Sequence, residues 1–77
     1  MYGFYVIIGS FRNIEYARKF TSDLTEEGFT PEILENENGL FRISVGGYDE
    51  ESAARAKISG IRAAYKKYND VWLLIRK

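Results

Sequence analysis

The chain states one pattern twice. Phe4-Tyr5-Val6-Ile7-Ile8-Gly9-Ser10-Phe11 returns 37 positions later as Phe41-Arg42-Ile43-Ser44-Val45-Gly46-Gly47-Tyr48. Each copy is a β-type run, two small residues, an aromatic and an acidic or amide-rich helix start. The correspondence continues into the helices, where Ala17 matches Ala54, Arg18 matches Arg55 and Leu24 matches Ile61. A fixed period of this size raises solenoid arrays, but two copies are too few for one. The copies are therefore expected to pack on each other as two halves of a single domain spanning residues 1–77.

Within each half, the period of the apolar residues assigns the elements. A first strand is predicted from about Tyr2 to Gly9, an aromatic and β-branched run. Asn13 is a good helix N-cap, with Glu15 placed to complement the dipole. Ala17, Phe20, Thr21 and Leu24 recur at helical spacing, and Gly28 followed by Phe29 marks a left-handed C-terminal cap. Pro31 to Glu35 is predicted as an edge strand, because its proline lacks a ladder donor. Asn36-Glu37-Asn38-Gly39 is the hairpin turn, with Asn-Gly supplying positive φ. The third strand runs from Leu40 to Val45, and Gly46-Gly47-Tyr48 turns out of it. The second helix opens at Asp49-Glu50-Glu51-Ser52, carries Ala54, Ile58, Ile61 and Tyr65 inward, and closes on Lys66-Lys67. Gly60 inside it is tolerable if helix and sheet approach closely there. The last strand is Val71 to Ile75, after a Tyr68-Asn69-Asp70 loop. Two βαβ halves joined by a hairpin make an α+β, ferredoxin-like βαββαβ fold. Its four-stranded antiparallel sheet carries both helices on one face, with strands 1 and 3 central.

Composition narrows the chemistry. There is no histidine and no cysteine, so Ser10 has no evident base to activate it and no thiolate, disulfide or cofactor attachment is expected. Glu26-Glu27 and Glu50-Glu51 are adjacent positions, which do not share a helical face as an acid–base pair must. Asn36-Glu37-Asn38 lacks the ligand count of a calcium loop. No enzyme, no metal and no cofactor are expected. Eleven Lys and Arg balance eleven Asp and Glu, and a zero balance disfavours nucleic acid, which needs a basic field. No run approaches the roughly 20 apolar residues of a membrane span, so no membrane insertion by this segment is expected. Met1-Tyr2-Gly3 lacks the basic start and long apolar stretch of a signal peptide, which places any export or anchor segment outside this chain.

Alternation of side chains locates the candidate site. Phe4, Val6 and Ile8 oppose Tyr5, Ile7 and Gly9. Phe41, Ile43 and Val45 oppose Leu40, Arg42 and Ser44, and Val71, Leu73 and Ile75 oppose Trp72, Leu74 and Arg76. The uniformly apolar sets belong against the helices. The others leave an outward face with Tyr5, Ile7, Leu40, Arg42, Ser44, Trp72 and Leu74, too apolar for a plainly solvated sheet. Such faces mark binding sites.

The same residues resemble a known family. Gly9-Ser10-Phe11, then Ala17, then Asn38-Gly39-Leu40-Phe41-Arg42-Ile43-Ser44-Val45-Gly46 are similar to the SPOR (sporulation-related repeat) domain pattern over nearly the whole chain. The resemblance implies a bacterial cell-envelope module, in the periplasm, recruited in many cases to the division septum. It implies peptidoglycan as partner, with preference for glycan strands stripped of stem peptides, bound on the sheet face. By position, the resemblance assigns ligand contact to Ser10, Arg42 and Trp72. Many members carry glutamine where this chain has Ile7, and some carry tryptophan where it has Leu40, so an amide donor and a stacking ring are replaced here. Together with Tyr5 and Ser44 these make the expected site. Two other uses of the same face compete. One is protein–protein contact, including a weak homodimer. The other is single-stranded RNA in the manner of an RRM, disfavoured because Phe41 points to the core and the charge is neutral.

Overall fold

A computed structural model describes residues 2–76. Its elements run β1 (Phe4–Phe11), α1 (Ile14–Glu26), β2 (Glu32–Glu35), β3 (Phe41–Tyr48), α2 (Glu51–Ala64), a 3₁₀ turn (Lys66–Tyr68) and β4 (Trp72–Ile75). The strands form one antiparallel sheet in the order β2-β3-β1-β4. This is the α+β, βαββαβ arrangement read from the repeat, with the two long strands central. Buried residues of both helices, Ala17 and Leu24 of α1 with Ala54, Ile58 and Ile61 of α2, join one cluster with Val6, Ile8, Ile43 and Val45 of the sheet. Both helices therefore cover the same face. Burying each large aliphatic of this set contributes about 1.5–3 kcal/mol.

The repeat is a two-fold relation written into the ladder. Ile7 pairs with Ser44, its own mate at a distance of 37 residues. On either side the pairs exchange under the same shift: Val6 with Gly46 becomes Ile43 with Gly9, and Tyr5 with Gly47 becomes Arg42 with Ser10. The edge strands obey it as well, since Glu32 sits on Ser44 as Trp72 sits on Ile7. The second half has merely gained the 3₁₀ turn Lys66–Tyr68 before its last strand. At the axis the register slips twice. Val45 has no partner on β1 and Ile8 none on β3, so each central strand carries one bulge and the two bulges are repeat mates.

These bulges revise the sequence reading. Simple alternation puts Gly9 on the outward face, but the extra Ile8 returns Gly9 to the helix side, opposite Ile43. A Cβ on Gly9 would lie 2.7 Å from the Phe20 ring, so the glycine admits that ring. Gly46-Gly47-Tyr48 is strand rather than turn; the bulge lets β3 continue three residues past Val45, as it lets β1 continue to Phe11.

The helix ends follow local rules with two departures. Asn13 Oδ1 accepts from the N–H groups of Glu15 (2.8 Å) and Tyr16 (3.4 Å), capping α1. At the other end Gly28 takes φ of 97°, and Gly28 and Phe29 N–H donate to the Thr25 and Leu24 carbonyls, the Schellman arrangement. α2 instead stops at Ala64, because Tyr65 is extended, and Lys66-Lys67 fall in the 3₁₀ turn. Arg62 is the cation in the last turn of α2, and its guanidinium ties the loop before β4 by donating to the Asn69 and Val71 carbonyls at 3.1 and 2.8 Å. Gly60 is exposed with nothing near it, so no close helix–sheet contact explains it. In the hairpin turn Gly39 alone has positive φ (75°), and Asn36 Oδ1 holds the turn by accepting from Asn38 and Leu40 N–H.

Candidate functional site

The face opposite the helices is built in rows. Glu32, Ser44, Ile7 and Trp72 cross all four strands in one row; Leu34, Arg42 and Ser10 lie to one side of it, and Gly47, Tyr5 and Leu74 to the other. Six of the seven predicted site residues thus share one surface. Leu40 sits one residue before β3, half-buried at the hairpin turn.

The surface is not open at its centre. Ile7 is fully buried, Ser44 is 2% exposed and Tyr5 is 6% exposed, although none belongs to the helix-side cluster. Their cover comes from long side chains. The Arg42 guanidinium lies 5.3 Å from the centroid of the Trp72 ring. Arg42 is on β3 and Trp72 on β4, with β1 between them, so the arginine spans the central strand where Ile7 faces outward. A second arginine, Arg76, lies 5.5 Å from the Tyr5 ring, and Tyr2 meets Tyr5 edge-on at 6.2 Å while resting on Gly47. Each cation–ring contact contributes about 0.5–1 kcal/mol or more. Ser44 Oγ both donates to the Gly46 carbonyl and accepts from Gly46 N–H, at 3.2 Å each, so its hydroxyl serves the bulge.

What remains accessible is the exposed Ser10, Trp72, which is 39% exposed, and a half-buried Arg42. Arg42 Nε is buried and has no hydrogen-bond partner among the described residues. Buried donors are normally satisfied, and an orphan costs about 1–3 kcal/mol. Tyr2 and Leu34 belong to this face but not to the predicted set. Tyr2 was not legible, because Gly46-Gly47 reads as a turn and only the folded strand shows the space over Gly47 that its ring fills; Leu34 was legible from the hairpin register, which pairs it with Arg42.

Charge on the molecule is neutral only in sum. Residues 13–38, which hold α1 and β2, contain Glu15, Asp23, Glu26, Glu27, Glu32, Glu35 and Glu37 against Arg18 and Lys19. Residues 50–77, which hold α2 and β4, contain Arg55, Lys57, Arg62, Lys66, Lys67, Arg76 and Lys77 against Glu50, Glu51 and Asp70. The β2 side is acidic and the β4 side basic. Among the described residues one salt bridge joins them. Glu27 Oε1 accepts from the Tyr68 hydroxyl at 2.6 Å and from Lys67 Nζ at 3.0 Å. The Tyr68 hydroxyl first, and Lys67 second, hold the Glu27 carboxyl below the ordinary glutamate value. Burial, then Glu27, pushes Tyr68 up, and Glu27 raises Lys67. Among the described residues no three His, Cys, Asp or Glu are grouped as a metal site, and no helix is long and apolar enough to cross a membrane.

A family model described as the SPOR domain matches residues 1–71. The chain belongs to the SPOR domain family. SPOR domains are known for peptidoglycan binding, are binding modules rather than catalysts, and occur in bacterial cell-envelope proteins. The matched stretch of this SPOR domain includes Tyr5, Ile7, Ser10, Leu40, Arg42 and Ser44; Trp72 and the rest of β4 follow directly after it. No curated protein and no solved structure matches the chain.

Proposed function

We propose that the sheet face opposite the helices binds glycan strands of bacterial peptidoglycan, preferring strands stripped of their stem peptides, and performs no reaction on them. The observation that carries this reading is the half-buried Arg42 guanidinium held against the partly exposed Trp72. A pyranose offers a flat apolar face to the indole, and its hydroxyl and acetamide oxygens are acceptors for a fixed guanidinium donor. Ser10, paired with Arg42 in the ladder and exposed, adds a hydroxyl within the same site. A strand without peptides lies flat over four adjacent strands, whereas a peptide on alternate sugars has to be held off the sheet. Membership of a peptidoglycan-binding family supports the ligand class. The burial of Tyr5 removes one of the two rings that base stacking requires, which weakens the RNA reading.

The test is co-sedimentation with intact and amidase-treated sacculi. Trp72→Ala is expected to weaken binding to treated sacculi roughly tenfold or more, the equivalent of 1.4 kcal/mol or above. Arg42→Lys keeps the charge over Ile7 but removes the planar guanidinium fork, and is expected to lose a similar factor with its circular dichroism unchanged. Binding should change little with salt, because one charge is engaged. Equal retention of wild type and both variants would exclude this face as the glycan site.

A further inference from the structure

The two edges of the sheet match each other. Arg76 N–H donates inward to the Gly3 carbonyl at 2.8 Å, so the even-numbered residues of β4 bond β1. Alternation then turns the N–H and C=O groups of Leu73 and Ile75 outward. On β2, Asn36 N–H donates to the Leu40 carbonyl at 3.0 Å, which turns those of Ile33 and Glu35 outward. Pro31, which has no N–H, stands just before β2. The Val71 carbonyl is taken by Arg62. Each edge thus presents two residues with free backbone groups, at the same spacing.

Strand direction alternates across the order β2-β3-β1-β4. A second copy placed beside the first, helices on the same side, therefore brings its β2 antiparallel to β4. One register satisfies all the free groups: Ile75 opposite Ile33 and Leu73 opposite Glu35. It also sets Leu74 on Leu34 and Arg76 on Glu32. Glu35 and Leu73 both lie on the helix side of their strands, each paired with a core-facing residue of the neighbouring strand. There Leu73 lines a notch of about 390 Å³ with Arg55, Ser59 and Arg62. Glu35 of the neighbour enters that notch. Like pairings are disfavoured by the charge of each side as a whole, because they bring two acidic β2 sides, or two basic β4 sides, together.

We propose that this chain associates with copies of itself edge to edge, β4 of one copy extending its sheet onto β2 of the next, guided by the opposite charges of the two sides. The contact is head to tail, so it does not close on itself and propagates along the sheet. Four residues a side make a small interface, well below the roughly 1,000 Å² of a stable complex, so the association is weak and concentration-dependent. In such a row the outer faces align, and a polymeric ligand lying along them would meet several copies at once.

The experiment is sedimentation velocity over about 0.05–1 mM chain, in about 20 mM and about 300 mM salt, since screening lengths fall from tens of ångströms to a few over that range. Wild type is expected to gain mass with concentration at low salt and to run as monomer at high salt. Glu32→Lys with Glu35→Lys, and separately Arg55→Glu with Arg76→Glu, should each be folded and monomeric. Mixed one to one, both junctions between unlike variants are complementary, one with the native charges and one with them reversed, so the mixture should recover the gain of mass with concentration at low salt. In amide NMR spectra the concentration-dependent shifts should centre on Ile33, Glu35, Leu73 and Ile75. A wild type that stays monomeric throughout would overturn the proposal. So would either double variant assembling alone, a mixture that gains no mass over the separate variants, or shifts centred on the outer face.

Discussion

Replacing Gly9 by alanine adds one methyl group where the structure has no room for it. The new Cβ would lie 2.7 and 3.2 Å from two carbons of the Phe20 ring and 3.3 Å from one of Phe11. Carbon atoms pack at about 3.5–4.0 Å, so the Phe20 ring has to withdraw by about 1 Å. It is held in place by Phe11, 5.3 Å away between centroids, and by Tyr68 at 6.2 Å. Over-packing of this kind costs about 1–3 kcal/mol. Gly9 does not use positive φ, so alanine recovers about 0.5–1 kcal/mol of chain entropy. The net loss spans about 0–2.5 kcal/mol, with about 1–2 kcal/mol its middle range, and a small domain loses about 4–8 °C of Tm per kcal/mol. A fall of about 4–16 °C is expected in thermal unfolding followed by circular dichroism. Gly60→Ala is the internal control. The same methyl there meets no atom within 4 Å on an exposed helix, and the gain of up to about 1 kcal/mol should raise Tm. Phe20→Leu added to Gly9→Ala should cost less than the two single losses together, because the clash is shared. A Tm for Gly9→Ala raised as much as that of Gly60→Ala would refute the placement of Gly9 under Phe20, and with it the bulge at Ile8.

Other consequences are simpler to check. Asn13→Ala removes the acceptor for two N–H groups of α1 and should cost about 1 kcal/mol in urea unfolding. Its repeat mate Glu50 makes no side-chain cap, so Glu50→Ala should leave the midpoint nearly unchanged. Glu27 has a folded pKa below its unfolded value. Its contribution is therefore complete above the ordinary glutamate range and lost as pH falls through the folded pKa; Glu27→Gln should flatten that acid limb of a stability–pH profile.

The topology was legible because the repeat carries it: once Ile7 and Ser44 are equivalent, the two long strands have to be neighbours. Asn13 and Gly28 were legible because caps depend on local hydrogen bonds and φ. The bulges were not. Ile8 and Val45 are apolar and β-branched, and nothing in them distinguishes an unpaired strand residue from a paired one. Two consecutive glycines at 46 and 47 signal a turn by composition, yet here they leave space for the Tyr48 and Tyr2 rings. The candidate face was legible as a set of residues. Its closure over Ile7 depends on Arg42 crossing an intervening strand to reach Trp72, a long-range event that period-two reading does not contain.

The symmetric ladder also dictates when the chain can fold. Among its three strand pairings only β2 with β3 is local, Glu35 meeting Phe41 across a tight turn. Phe4 has to wait for Tyr48, and then for Ile75. Loop closure of that length is slow relative to hairpin formation. During synthesis the run Phe4-Tyr5-Val6-Ile7-Ile8 therefore emerges before both of its partners and waits longest for them, a β-prone, uncharged segment of the kind that aggregates when left open. Wherever this chain is delivered unfolded, the stretch in greatest need of a chaperone is its own first strand.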